Sequence, residues 1–247
     1  MTDFAYVGNE LDLFAGATTW KSYVHFHLRP YLSGDILEVG AGIGAATATF
    51  NDGTQRRWVC LEPDRDLAAR IKSNLPPELT NCEVVVGTLS DLGPGEQFDS
   101  ILYMDVLEHI EADAAELARA ASHLKPNGTL AILAPALPWL YTPFDAAVGH
   151  YRRYTKTSLR SIAPKGLRER ECIYLDSVGL LASLGNKLFL HSPIPSKAQI
   201  EFWDRAMVPI SRYTDRALNH SIGRSILGVW QKAPWRWARI RESGRSA

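Results

Sequence analysis

The chain has 247 residues, 46% hydrophobic and 22% charged, which is ordinary globular composition and ample for one α/β domain with additions. No apolar run is long enough to span a bilayer, Met1–Asn9 lacks the basic-then-apolar order of a signal peptide, and Cys60, Cys82 and Cys172 form no Cys-x-x-Cys pair, so a cytoplasmic protein with reduced cysteines is expected. The zero net charge is divided: residues 1–148 hold 9 Lys+Arg against 20 Asp+Glu and residues 149–247 hold 18 against 7, which either cancels in space or gives the C-terminal part a basic face for an anionic acceptor or a membrane surface.

Leu11 to Leu32 reads as a helical entry segment carrying Leu13, Phe14, Trp20, Tyr23 and Val24. The first strand is Asp35 to Val39, followed by a helix from near Gly44 with Ala45, Ala46 and Ala48. The second strand is Trp58 to Leu61. Pro63 and Asp64 open a helix through Leu75, which Pro76-Pro77 stops. The third strand is Cys82 to Val86, and Gly93 to Gly95 is a turn. The fourth strand is Phe98 to Met104, then comes a helix from Asp113 to Leu124. Pro126-Asn127-Gly128 is read as a turn into a fifth strand, Thr129 to Ala134. This alternation argues for right-handed βαβ units in a parallel sheet. Beyond it, Pro135, Pro138 and Pro143 mark a long loop, Arg170–Leu175 and Ser225–Gln231 form a late antiparallel pair, and a helical stretch lies between them.

The densest signal is Glu38-Val39-Gly40-Ala41-Gly42-Ile43-Gly44, an apolar strand ending on a carboxylate and three alternating glycines, with Glu62 closing the next strand. Glycines let the backbone approach a nucleoside at the carboxyl edge of a parallel sheet, and the second acid suits ribose hydroxyls. No Gly-Lys-Ser/Thr follows, so the loop is not a Walker A. Gly40-x-Gly42-x-x-Ala45 fits the loose dinucleotide pattern, but Glu38 would repel a pyrophosphate there and would welcome a cationic amino group. A nicotinamide dinucleotide thus stays as the weaker ligand reading.

These residues resemble the first motif of the class I S-adenosylmethionine-dependent methyltransferases. Glu62-Pro63-Asp64 looks like that family's ribose-binding strand end, and Gly87-Thr88-Leu89 falls where it contacts adenine. Phe98 to Ile101, with Tyr103 through Ile110, resembles its fourth-strand motif, and Leu124 to Leu130 its turn before strand five. Thr88 departs from the pattern, since many relatives carry Asp there. The resemblance implies a doubly wound, mostly parallel seven-stranded α/β sheet (Rossmann-like), with an N-terminal helical segment over 1–33, a cofactor-binding core over 34–178 and 225–232, a helical insertion over 179–224 and a basic tail over 233–247. It implies S-adenosylmethionine as donor and S-adenosylhomocysteine as product. The expected cofactor residues are Glu38, Gly40, Ala41, Gly42, Gly44, Glu62, Pro63, Thr88, Leu89, Asp105 and Val106, with Trp20 and Tyr23 from the entry segment. Asp99 is read as a strand-positioning residue.

Past strand five, Phe144-Asp145 and Gly149-His150-Tyr151-Arg152-Arg153-Tyr154 look like a variant found in bacterial small-molecule and glycan- or lipid-pathway members of the superfamily. Loops at this edge carry function on a rigid scaffold. A histidine, with a reference pKa of about 6.5, suits removal of an acceptor proton at neutral pH. His150 is the first choice of base, Asp145 its orienting partner and His109 the second choice. An ion pair of Asp145 with Arg152 or Arg153 is the structural alternative. No cluster has metal-ligand spacing and no metal is expected, although Glu108-His109 is able to join a site completed from afar.

The expected reaction is methyl transfer to oxygen or nitrogen of a small-molecule, glycan or lipid-precursor acceptor. The insertion, with Arg205, Arg212, Arg216 and Arg224, suits an amphiphilic or anionic acceptor, packing on the sheet or a dimer contact alike. The tail, with Trp235, Trp237 and several arginines, suits fraying or peripheral membrane contact. Two alternatives are a nucleic-acid methyltransferase using the basic C-terminal part and a non-catalytic binding protein. The absence of an Asn-Pro-Pro-Tyr-type motif after strand four speaks against the first, so no nucleic acid is expected, and the intact acids and glycines speak against the second.

Overall fold

The computed structural model describes residues 10–185 and 195–234. The first nine residues and most of the expected tail, Trp235 and Trp237 included, lie outside them. Two entry helices, α1 (Glu10–Ala15) and α2 (Thr18–Leu28), precede strand β1 (Asp35–Val39). Then come α3 (Thr47–Phe50), β2 (Arg57–Glu62), α4 (Arg65–Asn74), β3 (Cys82–Val86), β4 (Phe98–Met104), α5 (Asp113–Ser122) and β5 (Leu124–Pro135). The second half holds α6 (Pro143–Ala147), α7 (Lys156–Ile162), β6 (Leu167–Leu175), α8 (Ser177–Gly185), α9 (Lys197–Phe202), α10 (Val208–Ala217) and β7 (Ser225–Lys232). A π-helical stretch, Trp203–Met207, joins α9 to α10.

The seven strands form one sheet in the order β3-β2-β1-β4-β5-β7-β6. The first five are parallel, and β7 runs antiparallel to both β5 and β6. The order reverses beside β1, which puts the carboxyl ends of β1 and β4 at the switch point where open α/β sheets bind ligands. β1, β2 and β4 are buried along nearly their whole length, as strands covered by helices on both faces must be. One core layer lies around Leu37, Ile101 and Leu130, and the opposite layer around Ile36, Leu102 and Ala131. Adjacent residues thus alternate between the two faces.

Two local expectations change. No helix begins at Gly44, because its φ of +81° is left-handed; the chain turns there and only Thr47–Phe50 is helical. Pro126-Asn127-Gly128 lies within β5 as a bulge, since Phe98 faces Leu124 while Ser100 faces Thr129. Asn127 takes a φ of +66° there, and a Cβ on Gly128 would stand 2.8 Å from the Lys125 carbonyl oxygen. Asp99 accepts the Asp35 N–H at 2.8 Å and pairs with Lys125 at 2.9 Å, at the sheet edge opposite the glycine loop.

Buried carboxylates stitch the insertion to the sheet. Asp204 accepts the Thr19 and Trp20 N–H groups at 3.1 and 2.7 Å, satisfying the open amino end of α2. Asp215 accepts from the Tyr23 hydroxyl and from the Asp176 and Ser177 N–H groups. Asp176 accepts from the Trp203 indole and the Ser211 hydroxyl, both at 2.7 Å. The insertion and entry helices therefore cover the ligand edge as one unit.

Candidate functional site

A cleft of about 1020 Å³ opens at the carboxyl edge between the glycine loop, the turn after β4, the loop after α6 and the cap formed by the insertion. Its volume stands at the upper end of the range of roughly 300–1,000 Å³ found for small-molecule pockets. Trp20, Glu38, Gly40, Ala41, Gly42, Glu62 and Pro63 line it on one side, with Thr88, Leu89, Asp105, Val106, His109 and His150 farther along.

The glycine loop is pinned to β2: Gly40 and Ala41 donate their N–H groups to the Leu61 carbonyl at 2.8 and 3.2 Å. Gly40 has a φ of +67°, and a Cβ there would stand 2.7 Å from Val106. Gly42 has a φ of +57°, and a Cβ there would meet only Leu11, at 3.6 Å, so this stretch of backbone is an open cradle. Gly44 stands behind it against Ile71 and Leu75.

Glu62 accepts the Gly42 N–H on Oε2 at 2.7 Å and the Asp64 N–H on Oε1 at 3.0 Å. Each oxygen keeps a further lone pair, enough for a vicinal diol. Burial pushes the Glu62 carboxyl up to about 7 against the pull of those amides. Burial likewise pushes Glu38 up to about 7, opposed by bonds from the Thr47 hydroxyl at 2.6 Å and the Trp58 indole at 2.9 Å. Both of those bonds fall on Oε2. At Thr88 the structure replaces the expected contact with a local one. Its N–H and hydroxyl both donate to Asp91 Oδ2, at 2.8 and 2.9 Å, so both polar groups of Thr88 are engaged within its own turn.

Asp105 follows β4 with a φ of +55° and lines the cleft. Its carboxyl is raised to about 6 by the enclosing walls, an effect moderated by Arg224, His150 and Lys21. Three carboxyls raised by burial, Glu38 and Glu62 to about 7 and Asp105 to about 6, favour a ligand that brings positive charge, such as one bearing a sulfonium and an ammonium.

Across the cleft, His150 Nδ1 lies 2.9 Å from Asp145 Oδ1. Asp145 is fully buried and also receives Arg153 on both oxygens and the Thr142 N–H and hydroxyl. Burial alone would raise its pKa; the bonds from His150 and Arg153 outweigh that and hold it at about 2. The orienting contact and the ion pair are therefore both present, and the pair uses Arg153. Arg152 instead reaches Asp113 at 2.7 Å, as does the Tyr154 hydroxyl at 2.9 Å. The Tyr151 N–H donates to the Glu108 carbonyl at 2.8 Å, strapping this loop onto the turn that carries Glu108 and His109. The His109 and His150 rings meet edge-on with centroids 4.7 Å apart.

Tyr23 stands apart from the cleft lining, its hydroxyl committed to Asp215, so it joins cap to core and does not approach the cofactor as expected. Trp20 does line the cleft, packed at 5.7 Å against Trp203. The sequence reading missed Lys21, and it named Glu108 only beside His109 as a metal-site member and Arg224 only among the insertion arginines; all three line the same space. Lys21 Nζ donates to the Phe14 and Ala15 carbonyls at 2.7 and 3.0 Å, and burial lowers its pKa to about 8. Arg224 lies 4.2 Å above the Trp203 ring. Nothing in local spacing marks a lysine or an arginine as facing a cleft closed by elements far away in the chain.

Residues 37–130 match the family model described as "Methyltransferase domain". The sheet order, the glycine cradle and the acid closing β2 are similar to those of class I S-adenosylmethionine-dependent methyltransferases, and that similarity implies S-adenosylmethionine as the cofactor. The chain is similar to the ubiquinone biosynthesis O-methyltransferase of Rhodopseudomonas palustris, 33% identical over 101 residues, which are 39% of this chain and 38% of that protein. The corresponding enzyme of a Bradyrhizobium strain is 30% identical over 98 residues. The chain thus spans well under half the length of the curated relatives it matches. Among solved structures, an S-adenosylmethionine-dependent methyltransferase from Mesorhizobium loti shares the fold with a TM-score of 0.59 at 16% identity, covering 88% of this chain and 99% of that one. The N-methyltransferase NodS from Bradyrhizobium japonicum does so with a TM-score of 0.56 at 13% identity, over 92% and 99%.

Proposed function

We propose that this chain transfers a methyl group from S-adenosylmethionine to an oxygen or nitrogen of a small-molecule, glycan or lipid-precursor acceptor. The observation that carries this reading is the Glu62 carboxylate tied to the Gly42 N–H at 2.7 Å, on a loop whose glycines bring no side chain of their own into the cleft. When bound, the donor supplies a methyl group already activated by a sulfonium. Glu62 accepts the ribose hydroxyls, Glu38 and Asp105 face the cationic amino-acid end, and Leu89 borders the base. His150 stands at the far side of the cleft, where it would orient an acceptor toward a donor held by Glu62 and the glycine loop. His150, oriented through Nδ1 by Asp145, receives the acceptor proton at Nε2. The largely apolar walls exclude water, which favours dispersal of the sulfonium charge during transfer.

The name of the Rhodopseudomonas relative favours oxygen as the accepting atom. Phe14, Leu140, Phe144, Phe202 and Met207 in the cleft wall favour an acceptor with an apolar or aromatic body. Calorimetric titration with S-adenosylhomocysteine against NADH tests the donor site: saturable binding of the first alone is expected, and preference for NADH overturns the reading. Labelled donor offered with phenols, catechols, amines, glycans and lipid precursors then reads the acceptor class; transfer to none of them while the donor binds would sink the acceptor assignment and leave the donor site standing.

A further inference from the structure

Glu108 is the most anomalous side chain in the cleft. It is fully buried, and neither carboxylate oxygen has a hydrogen-bond partner among the described residues. Buried polar groups are almost always satisfied, because an unmet one costs its full desolvation penalty. Its neighbour His150 does not satisfy it, since Nε2 lies 3.8 Å from Oε1, beyond hydrogen-bond range. What surrounds it is a convergence of donors: ligand atoms of Glu108, His109 and His150 all lie within 4.8 Å of one another.

We propose that Glu108, His109 and His150 hold a divalent transition-metal ion at the acceptor end of the cleft. Two imidazoles and one carboxylate are the donor set of three-ligand sites that keep a position open for a further oxygen. Such an ion bonds at about 2.0–2.2 Å, which sets tetrahedral ligand atoms roughly 3.4 Å apart, so modest side-chain rotation closes the present cluster. The supports for such a site are built. His150 gives Nδ1 to Asp145 at 2.9 Å, the carboxylate–histidine arrangement that orients a metal-bound imidazole, and His109 is held by the Gly149 backbone. The backbone also fixes the two halves against each other, through the Tyr151 N–H on the Glu108 carbonyl. Arg153, whose charge acts on Glu108, is paired by its two bonds to Asp145. Soft thiolates are absent from the cluster and imidazole dominates it, so zinc, cobalt, iron or manganese fits better than calcium or magnesium.

The open position faces the cleft where the acceptor sits, so the site would take an acceptor oxygen, a hydroxyl or a catechol pair, rather than an amine held by hydrogen bonds alone. Binding of the ion does not depend on the methyl-transfer reading, whereas its use on the acceptor does. In the loaded protein His150 Nε2 is a ligand and is no longer the atom that takes the proton.

The test uses the tag-free full chain, stripped with chelator and titrated with Co²⁺ by absorption and with Zn²⁺ by calorimetry. One Co²⁺ per chain with tetrahedral or five-coordinate d–d bands is expected, displaced by Zn²⁺. Glu108→Gln and His109→Asn should each weaken Co²⁺ at least tenfold, with circular dichroism confirming that both fold. His150→Asn serves as a third variant should either fail to fold. Absence of saturable Co²⁺ and Zn²⁺ binding, or affinity unchanged in two folded variants, overturns the proposal and identifies the partner of Glu108 as water or a proton. Donor titrations run in parallel separate the outcomes: donor bound without metal leaves the transferase reading and the proton role of His150 intact, and metal bound without donor overturns that reading alone.

Discussion

Glu62 reaches back twenty residues to accept the Gly42 N–H at 2.7 Å, and through that bond the acid meant for a ligand also shapes the loop that would cradle it. One carboxylate thus sets two features of the donor site. Replacing it removes the acceptor for a ribose diol and frees the Gly42 amide. Hydrogen bonds to a charged group contribute about 1.5–3 kcal/mol each. Glu62→Ala should therefore weaken S-adenosylhomocysteine by at least about tenfold per lost bond, read by calorimetry. Affinity within threefold of the parent would remove Glu62 from its role.

The same residue gives donor binding a pH dependence. Burial holds the free Glu62 carboxyl at about 7, above its ordinary value, so it is largely protonated at pH 6 and ionised at pH 8. The diol needs the ionised form. S-adenosylhomocysteine affinity should then climb as pH rises through about 7 and level off above it, by at most about tenfold per pH unit for one proton released. Glu62→Gln should make the curve shallower by the share of this proton, with Glu38 at about 7 and Asp105 at about 6 supplying the slope that remains. A parent curve that is flat from pH 6 to 8 would contradict the assignment.

The donor half was legible because its chemistry is local. Strand, acid and glycines are consecutive, and Glu62 closes the next strand, so spacing alone placed Gly40, Gly42 and Glu62 on one edge. The late antiparallel pair was legible too, from two apolar runs now seen as β6 and β7. The cap was not. Asp204 satisfies the amino end of α2 from 184 residues away, and Tyr23 finds Asp215 across 192. No periodicity encodes such a partner, so an aromatic on the entry helix read as a cofactor contact. The burial of Glu108 was hidden for the same reason: the loop whose Tyr151 N–H bonds the Glu108 carbonyl lies about forty residues further along the chain.

Gly40 tests how tightly the loop and the turn after β4 are matched. Alanine there would meet Val106 at 2.7 Å and must hold a left-handed φ of +67°. The backbone penalty is about 1–2 kcal/mol before any clash is counted. Gly40→Ala should lower the urea midpoint and weaken S-adenosylhomocysteine together. Adding Val106→Ala should recover part of the loss, because it relieves the clash and leaves the backbone strain. A double variant no better than Gly40→Ala would show that contact with Val106 is not what excludes a side chain.

Asp204 makes a separable claim about the cap. It serves α2 as a capping acceptor supplied by another segment, and loss of a capping acceptor costs about 0.5–2 kcal/mol. Asp204→Ala should destabilise the fold by that order in urea titration, and Asp204→Asn, which keeps one accepting oxygen and turns a donor amide toward the other N–H, should recover only part of it. Stability unchanged in Asp204→Ala would show that the two accepted N–H groups do not hold the cap.

Asp145 decides whether the loop after α6 serves chemistry or only packing. It holds His150 at 2.9 Å and Arg153 on both oxygens, and it touches no part of the donor side. Asp145→Asn keeps size and one acceptor but loses the charge that pairs with Arg153 and fixes the imidazole. If the loop prepares the acceptor, turnover with a competent acceptor should fall by about 10²-fold or more, the scale of a lost acid–base contribution. The S-adenosylhomocysteine Kd should stay within about threefold, because Glu62, Gly40 and Gly42 lie across the cleft from the change. A purely structural Asp145 predicts the opposite pattern: donor affinity and thermal stability drop in step, and activity per folded, donor-bound molecule is preserved. The separation of kcat from donor Kd is therefore the quantity that assigns the loop its role.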